Sequence, residues 1–114
     1  MYNTNKTLIK PTMLIIMVGW NLYAQDGKVS GFITDEKTGE ALIGANVFIA
    51  ETGNGMSTDK NGYYVLQNII PGSYNLIVSY IGYSTLKKEI TLASNESIKM
   101  NLELRIEAVE ITEV

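Results

Sequence analysis

The feature that most constrains this chain is an alternation of apolar and polar side chains with a period of two. In residues 98–106 every second residue is apolar, and those between are charged or amide side chains. This period is typical of a β-strand with one buried and one solvent-facing side. Residues 74–81 are apolar on both faces, so we expect a central strand that is covered on both sides. No stretch of residues 25–114 keeps a 3.6-residue period, and no helix of note is predicted.

Turn-forming residues separate the apolar segments. Asn61-Gly62 and Pro71-Gly72 supply the backbone conformations that tight reversals need. About seven short strands, with turns every eight to twelve residues or so, predict an antiparallel β-sandwich. A membrane barrel is the competing all-β architecture. It needs strands of ~9–11 residues, and most of the strands here are about half that length.

The first 24 residues predict a secretory signal peptide. Lys6 and Lys10 precede an apolar run that starts at Met13, and the small residue Ala24 precedes a polar stretch. The run of about ten apolar residues suits a signal peptide and is about half of what a spanning helix needs. We therefore expect cleavage after Ala24, with a membrane anchor as the alternative. The remaining chain, residues 25–114, has a net charge of −5 because the whole chain carries −3 and loses two lysines.

The residue types that are missing exclude most catalytic chemistry. With no Cys and no His, the chain cannot form a zinc finger, a thiol nucleophile or a Ser-His-Asp triad. The net negative charge argues against nucleic-acid binding. The carboxylates of Asp35, Glu36, Glu107 and Glu110 lie in turns or in the tail, without an apolar pocket that would raise a pKa. The sequence therefore predicts no catalytic, cofactor-binding or metal-binding residue.

Two further features have a functional and a structural interpretation. Residues 59–62 resemble the start of a calcium loop, but Tyr63 and Ile70 occupy ligand positions 5 and 12, so we predict a hairpin turn. The tyrosines could form a platform for sugar or could pack in the sheets. Alternation places Tyr74 and Tyr80 on one packed face, which favours packing. The tyrosines in question are those at positions 63, 64, 74, 80 and 83.

Several segments together resemble the carboxypeptidase regulatory-like domains. They are Gly27–Asp35 and residues 38–47, 55–64, 70–74 and 78–83, the last of which reads Val-Ser-Tyr-Ile-Gly-Tyr. The resemblance covers residues 27 to about 104. It implies a seven-stranded antiparallel Greek-key sandwich of the prealbumin (transthyretin) type, which we assign to residues 25–106. Carboxypeptidase activity is not implied, because the name belongs to an accessory domain and zinc-binding histidine is missing.

This form of the domain is typical of Bacteroidetes outer-membrane proteins. It forms the N-terminal extension of TonB-dependent receptors, including those that import glycans. In these receptors a signal peptide precedes the sandwich, and an acidic-hydrophobic TonB box, a plug domain and a barrel follow it. The resemblance implies an exported protein at the periplasmic face of the outer membrane. It also implies that the partners are the plug and barrel and a TonB-type energy-coupling protein.

The tail, residues 107–114, has an acid at every third position among apolar residues and is similar to the start of the TonB-box segment. We expect it to be flexible. The sequence thus predicts a non-catalytic periplasmic accessory domain of a nutrient or glycan receptor, here without plug and barrel. The alternative is a stand-alone secreted carbohydrate-binding or adhesive sandwich.

Overall fold

The computed structural model describes residues 25–108, which form eight β-strands and no helix. The strands are β1 (Gly27–Asp35), β2 (Asn46–Ile49), β3 (Gly55–Ser57), β4 (Tyr63–Ile69), β5 (Gly72–Ser79), β6 (Leu86–Leu92), β7 (Ser97–Lys99) and β8 (Leu102–Leu104). The predicted signal peptide, residues 1–24, lies outside the described residues, and so do residues 109–114 of the predicted tail.

The strands form two four-stranded sheets. In the first sheet β1 is central, with β4 on one edge and β7 and β8 along the other. In the second sheet the order is β3-β2-β5-β6. Apolar side chains from both sheets form one core, whose fully buried members include Val29, Ile33, Val47, Ile49, Tyr64, Leu76 and Val78. The prediction of an all-β sandwich is confirmed.

The last strand differs from the sequence prediction in two respects. The sequence predicts one strand over residues 98–106, whereas the structure has β7 and β8 with a gap between them. Both run parallel to β1, so the sandwich is not entirely antiparallel. The register is unbroken across the gap, because Ser30 pairs with Lys99 and Ile33 pairs with Leu102. β7 and β8 are therefore one interrupted strand, which accounts for eight strands instead of the predicted seven.

The interruption lies where the backbone of Met100 approaches Gly31. A Cβ added to Gly31 would overlap the Met100 carbonyl, so only glycine allows this approach. Tyr64 belongs to β4 and lies opposite Gly31 of β1. Its side chain crosses β1, and its hydroxyl donates to the Met100 carbonyl at 2.7 Å. The Phe32 N–H donates instead to the side-chain Oδ1 of Asn101 at 2.9 Å. These two side-chain bonds supplement the backbone bond at the gap, in which the Met100 N–H donates to the Ser30 carbonyl at 2.7 Å.

β5 is central in its sheet, but only one of its faces is buried. Leu76 and Val78 are completely buried. On the opposite face Ile77 is half-buried and Ile81, just beyond the strand, is 90% exposed. The prediction that residues 74–81 are covered on both sides is therefore wrong for the part of the chain that is described. The cause is that the two sheets pack through their inner faces, and residues 25–108 supply no third layer.

The one lysine that interrupts the apolar series of β6 has a structural explanation. Lys88 lies opposite Leu76, on the core side of the sheet, and β6 is an edge strand. An inward-pointing lysine at an edge hinders the docking of a second sheet, because pairing would bury its charge. Lys88 itself is exposed and remains hydrated.

Gly31→Ala tests the close approach of the last strand. We expect this substitution to lower the free energy of unfolding by about 3 kcal/mol or more, because the methyl group displaces the Met100 backbone. The matched control is Gly53→Ala, where φ is +79° and the added Cβ meets no atom within 4 Å. Backbone strain alone should cost about 1 kcal/mol there. Urea unfolding of residues 25–114 measures the free energy of unfolding of each variant. An equal decrease in the two variants would contradict the role given to Gly31.

Candidate functional site

The loops at one end of the sandwich meet where the chain leaves the last strand. β1 ends there at Asp35, β5 at Ser79 and β8 at Leu104. We call this the exit end, and it comprises residues 36–45, 58–62, 80–85 and 105–108. The side chains that hold these loops determine where the chain leaves the domain.

Asp35 joins two of the exit-end loops. It is 5% exposed. Its Oδ1 accepts the backbone N–H groups of Lys37 at 2.7 Å and Thr38 at 2.9 Å, and its Oδ2 accepts the Tyr83 hydroxyl at 2.7 Å. The two backbone bonds form an Asx-type turn after β1. The bond from Tyr83 ties this turn to the loop between β5 and β6.

The hydrogen bonds keep the Asp35 carboxylate ionised. The pKa of Asp35 lies below its ordinary value, first because of the Tyr83 hydroxyl and then because of the N–H groups of Thr38 and Lys37. The same bond to Asp35, with burial as a smaller cause, raises the pKa of Tyr83 to about 12. Tyr83 therefore remains a hydroxyl donor at neutral pH, and Asp35 remains a charged acceptor.

The departing backbone is bonded to the same loop. The Ser84 N–H donates to the Arg105 carbonyl at 2.9 Å, and the Glu107 N–H donates to the Gly82 carbonyl at 3.0 Å. Between these bonds Tyr83 and Ile106 form an antiparallel bridge. The chain is thus fixed to the β5–β6 loop as far as residue 107, which is one residue beyond the domain boundary expected at 106.

An exposed ion pair lies beside Asp35. Arg105 donates from Nε to Glu36 Oε2 at 3.1 Å and from Nη2 to Oε1 at 3.2 Å. The bonds from Arg105 are the main reason that the pKa of Glu36 is lowered. Because the side chains are 73% and 37% exposed, water screens the pair and its contribution to stability is small. A groove of about 560 Å³ opens here, lined by Asp35, Glu36, Lys37, Leu104, Arg105, Ile106 and Ala108.

Two of the four carboxylates considered in the sequence, those of Asp35 and Glu36, have structural partners. Asp35 and Glu36 are bonded as described above, and Glu110 lies outside the described residues. The Asp59 Oδ1 accepts the N–H groups of Asn61 at 2.8 Å and Tyr63 at 3.0 Å, which forms a tight turn. The prediction of a hairpin is wrong, because this turn joins β3 and β4, which lie in different sheets and pair with β2 and β1. Among residues 25–108 no group of three or more His, Cys, Asp or Glu side chains is arranged to hold a metal ion. In the same range there is no helix of the length and hydropathy that crossing a membrane requires.

The five tyrosines have different environments. Tyr64 is completely buried, and Tyr80 packs its ring against Tyr83 with centroids 5.5 Å apart. The Tyr74 hydroxyl donates to a backbone carbonyl at the opposite end of the sandwich. Tyr63 forms a tilted aromatic pair with Phe32, centroids 5.1 Å apart, on the outer face of the first sheet. Phe32 is 43% exposed, and no pattern in the sequence distinguishes it from the apolar residues of the core.

The family comparison matches most of the described fold. The CarboxypepD_reg-like domain family matches residues 29–114. This match spans more than half of the chain and includes every strand from β2 to β8, together with most of β1. The chain belongs to this family, as the resemblance in the sequence implied.

Its relatives include carboxypeptidases and receptors. Human carboxypeptidase D is 32% identical over 67% of this chain and 5% of its own length. The TonB-dependent receptor SusC of Bacteroides thetaiotaomicron is 33% identical over 84% of this chain and 9% of its own length. The TonB-dependent receptor P39 of Formosa agariphila is 36% identical over 79% of this chain and 8% of its own length. The chain therefore spans less than a tenth of each of these relatives.

Solved structures share the fold at low sequence identity. The minor pilin GBS52 of Streptococcus agalactiae has a TM-score of 0.59 at 16% identity, over 80% of this chain and 49% of that one. BcpA, the major pilin subunit of Bacillus cereus, has a TM-score of 0.61 at 17% identity, over 73% of this chain and 31% of that one. These similarities support the sandwich architecture alone.

Tyr83→Phe tests the bond that joins the exit-end loops. Without the hydroxyl donor, the pKa of Asp35 should rise toward the ordinary value of about 3.9. A lowered carboxylate pKa stabilises the fold above about pH 4, and this stabilisation is lost as the pH falls through the folded-state value. The variant should therefore lose less stability on acidification than the parent. NMR titration of the Asp35 carboxyl carbon measures the shift directly.

The control for that titration is Tyr74→Phe. It also removes one hydroxyl bond to the protein, but at the opposite end of the sandwich. It should leave the pKa of Asp35 unchanged. An Asp35 pKa that is the same in the parent and in Tyr83→Phe would show that the Tyr83 bond does not control this carboxylate.

Proposed function

We propose that this chain provides a non-catalytic accessory domain at the N-terminus of a TonB-dependent outer-membrane receptor that imports nutrients or glycans. The observation that carries the proposal is its similarity to SusC and P39 over about four fifths of the chain. Since the chain spans less than a tenth of those receptors, transport would be the task of the other parts.

The proposal requires export to the periplasm. Residues 1–24 would act as a cleavable signal peptide, with the mature protein starting at Gln25. A sandwich without cysteine needs no oxidative step after export, because its stability comes from the shared core of the two sheets. Mass spectrometry of an envelope fraction should give a mass that starts at Gln25. Protein that keeps Met1 and remains in the cytosol would contradict export.

The geometry of the exit end suits a domain from which the chain continues. Asp35, Tyr83 and the bond from Glu107 to Gly82 fix the direction in which the backbone leaves the sandwich. A fixed exit positions a domain relative to whatever is attached to it. This supports the accessory-domain proposal over a stand-alone module.

We assign the tail beyond this anchor to energy coupling. Residues 109–114 would be the start of a segment that a TonB-type protein binds by adding a strand, a mode that depends on main-chain hydrogen bonds. Before binding, such a segment should be mobile. NMR order parameters below about 0.6 for these residues would agree, and values near about 0.85 would contradict the assignment.

A receptor chimera tests the accessory-domain proposal. In SusC, the region similar to this chain is replaced by residues 25–114, and growth that depends on SusC is measured. We expect the chimera to assemble in the outer membrane and to support growth close to that of the parent receptor. The matched control carries Val78→Asp, which places a carboxylate in the core and should unfold the domain. A folded chimera that assembles but does not support growth would contradict the proposal.

The alternative function is a carbohydrate-binding sandwich. The observation that favours it is the partly exposed aromatic pair of Phe32 and Tyr63, because aromatic rings on an open sheet face can stack on sugars. Calorimetric titration of residues 25–114 with soluble α- and β-glucans distinguishes the two functions. The accessory-domain proposal predicts no heat of binding. Binding that is lost in Phe32→Ala would favour the alternative.

A further inference from the structure

Among residues 25–108, three large apolar side chains that are exposed to solvent lie at the exit end. They are Ile43, Ile81 and Ile106, with 54%, 90% and 58% of their surface exposed. Ile70 is exposed at the opposite end, and Phe32 on a sheet face. Scattered exposed apolar residues are ordinary, whereas a group at one place indicates a contact surface.

Two of the three belong to turns of the same design. Ile81 precedes Gly82, whose φ is +84°, and the Tyr83 N–H closes this turn on the Tyr80 carbonyl at 3.0 Å. Ile43 precedes Gly44, whose φ is +83°. In each turn the glycine takes the left-handed conformation at the third position, so the isoleucine is presented at the second.

The turn at Ile43 is closed by a side chain. The Thr58 hydroxyl donates to the Leu42 carbonyl at 2.6 Å and accepts the Ala45 N–H at 2.9 Å, and Thr58 is 4% exposed. The Gly44 N–H adds a bond to the Thr58 carbonyl at 3.1 Å. Both isoleucines are therefore held on ordered backbone, which lowers the entropy that is lost when a partner binds.

The two turns lie side by side. Asn46 on β2 pairs with Ser79 on β5, so the turns that adjoin these residues are neighbours at the end of the second sheet. A groove of about 430 Å³ lies between them, lined by Gly44, Asn46, Ser79, Tyr80 and Ile81. The departing backbone also adjoins this place, because the Glu107 N–H donates to the Gly82 carbonyl.

We propose that the two isoleucine-glycine turns, residues 42–45 and 80–83, form the surface on which the folded remainder of the receptor docks. This inference rests on the accessory-domain function proposed above. The identity of the docked partner follows from the place where the chain leaves the domain. The chain that leads to the attached domain leaves the sandwich beside Ile81, so tethering gives that domain a higher effective concentration at these turns than at the distant end that carries Ile70. Its contacting surface would be apolar at the centre, to cover the isoleucines, with a polar rim.

Cysteine labelling in the SusC chimera tests this surface. Residues 25–114 contain no cysteine, so each single-cysteine variant gives this domain one reactive thiol, and the chimera without the added cysteine gives the background. By exposure alone, a thiol introduced by Ile81→Cys should react with a maleimide at least as fast as one introduced by Ile70→Cys. Docking predicts that Ile81→Cys and Ile43→Cys react about 10-fold or more slowly than Ile70→Cys.

A second substitution separates docking from local structure. Adding Ile43→Ser to the Ile81→Cys chimera weakens the docked contact, and the thiol should then react about as fast as in Ile70→Cys. Adding Ile70→Ser as the matched control should leave the slow rate unchanged. A slow rate that persists with Ile43→Ser would mean that the turn itself shields the thiol, and would overturn the proposal.

The remaining outcomes separate this inference from the function on which it rests. If the chimera supports growth and all the thiols react at similar rates, the docking surface is wrong and the accessory function stands. The same conclusion follows if only a thiol introduced by Phe32→Cys is protected, because the partner then covers the sheet face. A chimera whose domain is folded and which assembles without supporting growth contradicts the accessory function, and the docking proposal fails with it.

Discussion

The hydroxyl of Tyr64 donates to the carbonyl of Met100 across the intervening strand β1, and much of the structure depends on this bond. It is possible because Gly31 has no side chain, which lets the Met100 backbone approach β1. The bond helps to fix the last strand on β1 in a parallel register, from Ser97 to Leu104. Burial raises the pKa of Tyr64, so the hydroxyl keeps its proton and remains a donor.

The same strand carries the chain to the end of the domain where the proposed functions lie. Because the register of the last strand is set at Met100, the end of this strand lies beside the Asp35–Tyr83 bond. From there Glu107 reaches the turn at Gly82. The exit of the chain, and the exposed isoleucine turns next to it, are thus positioned from the centre of the sheet. A carboxylate with three hydrogen-bond donors and a tyrosine of raised pKa make this end a structural junction, and they provide no group with the pKa of a general acid or base.

Much of the fold was predictable because alternation reports directly which face of a strand is buried. Leu102 and Leu104 are buried and Lys99 and Glu103 are exposed, as the period of two predicts. Alternation is the same for parallel and antiparallel strands, so it could not reveal the parallel pairing with β1. The apolar residue Ile81 was assigned to a covered face because an apolar side chain in a sequence does not report whether another layer covers it, and Ile81 is 90% exposed. The Asp35–Tyr83 bond joins residues 48 positions apart, and only the turn after Asp35 had a local signal. The absence of catalytic, cofactor and metal residues stays a prediction.

Native-state hydrogen exchange in Tyr64→Phe tests most directly whether this one bond holds the last strand. The reporter is the Met100 amide, which donates to the Ser30 carbonyl at 2.7 Å, and the reference is the Val78 amide in the other sheet. We expect Tyr64→Phe to lower the free energy of opening at Met100 by about 1–3 kcal/mol more than at Val78, because the last strand separates from β1 before the core opens. Equal losses at the two amides, or no loss at Met100, would contradict this expectation.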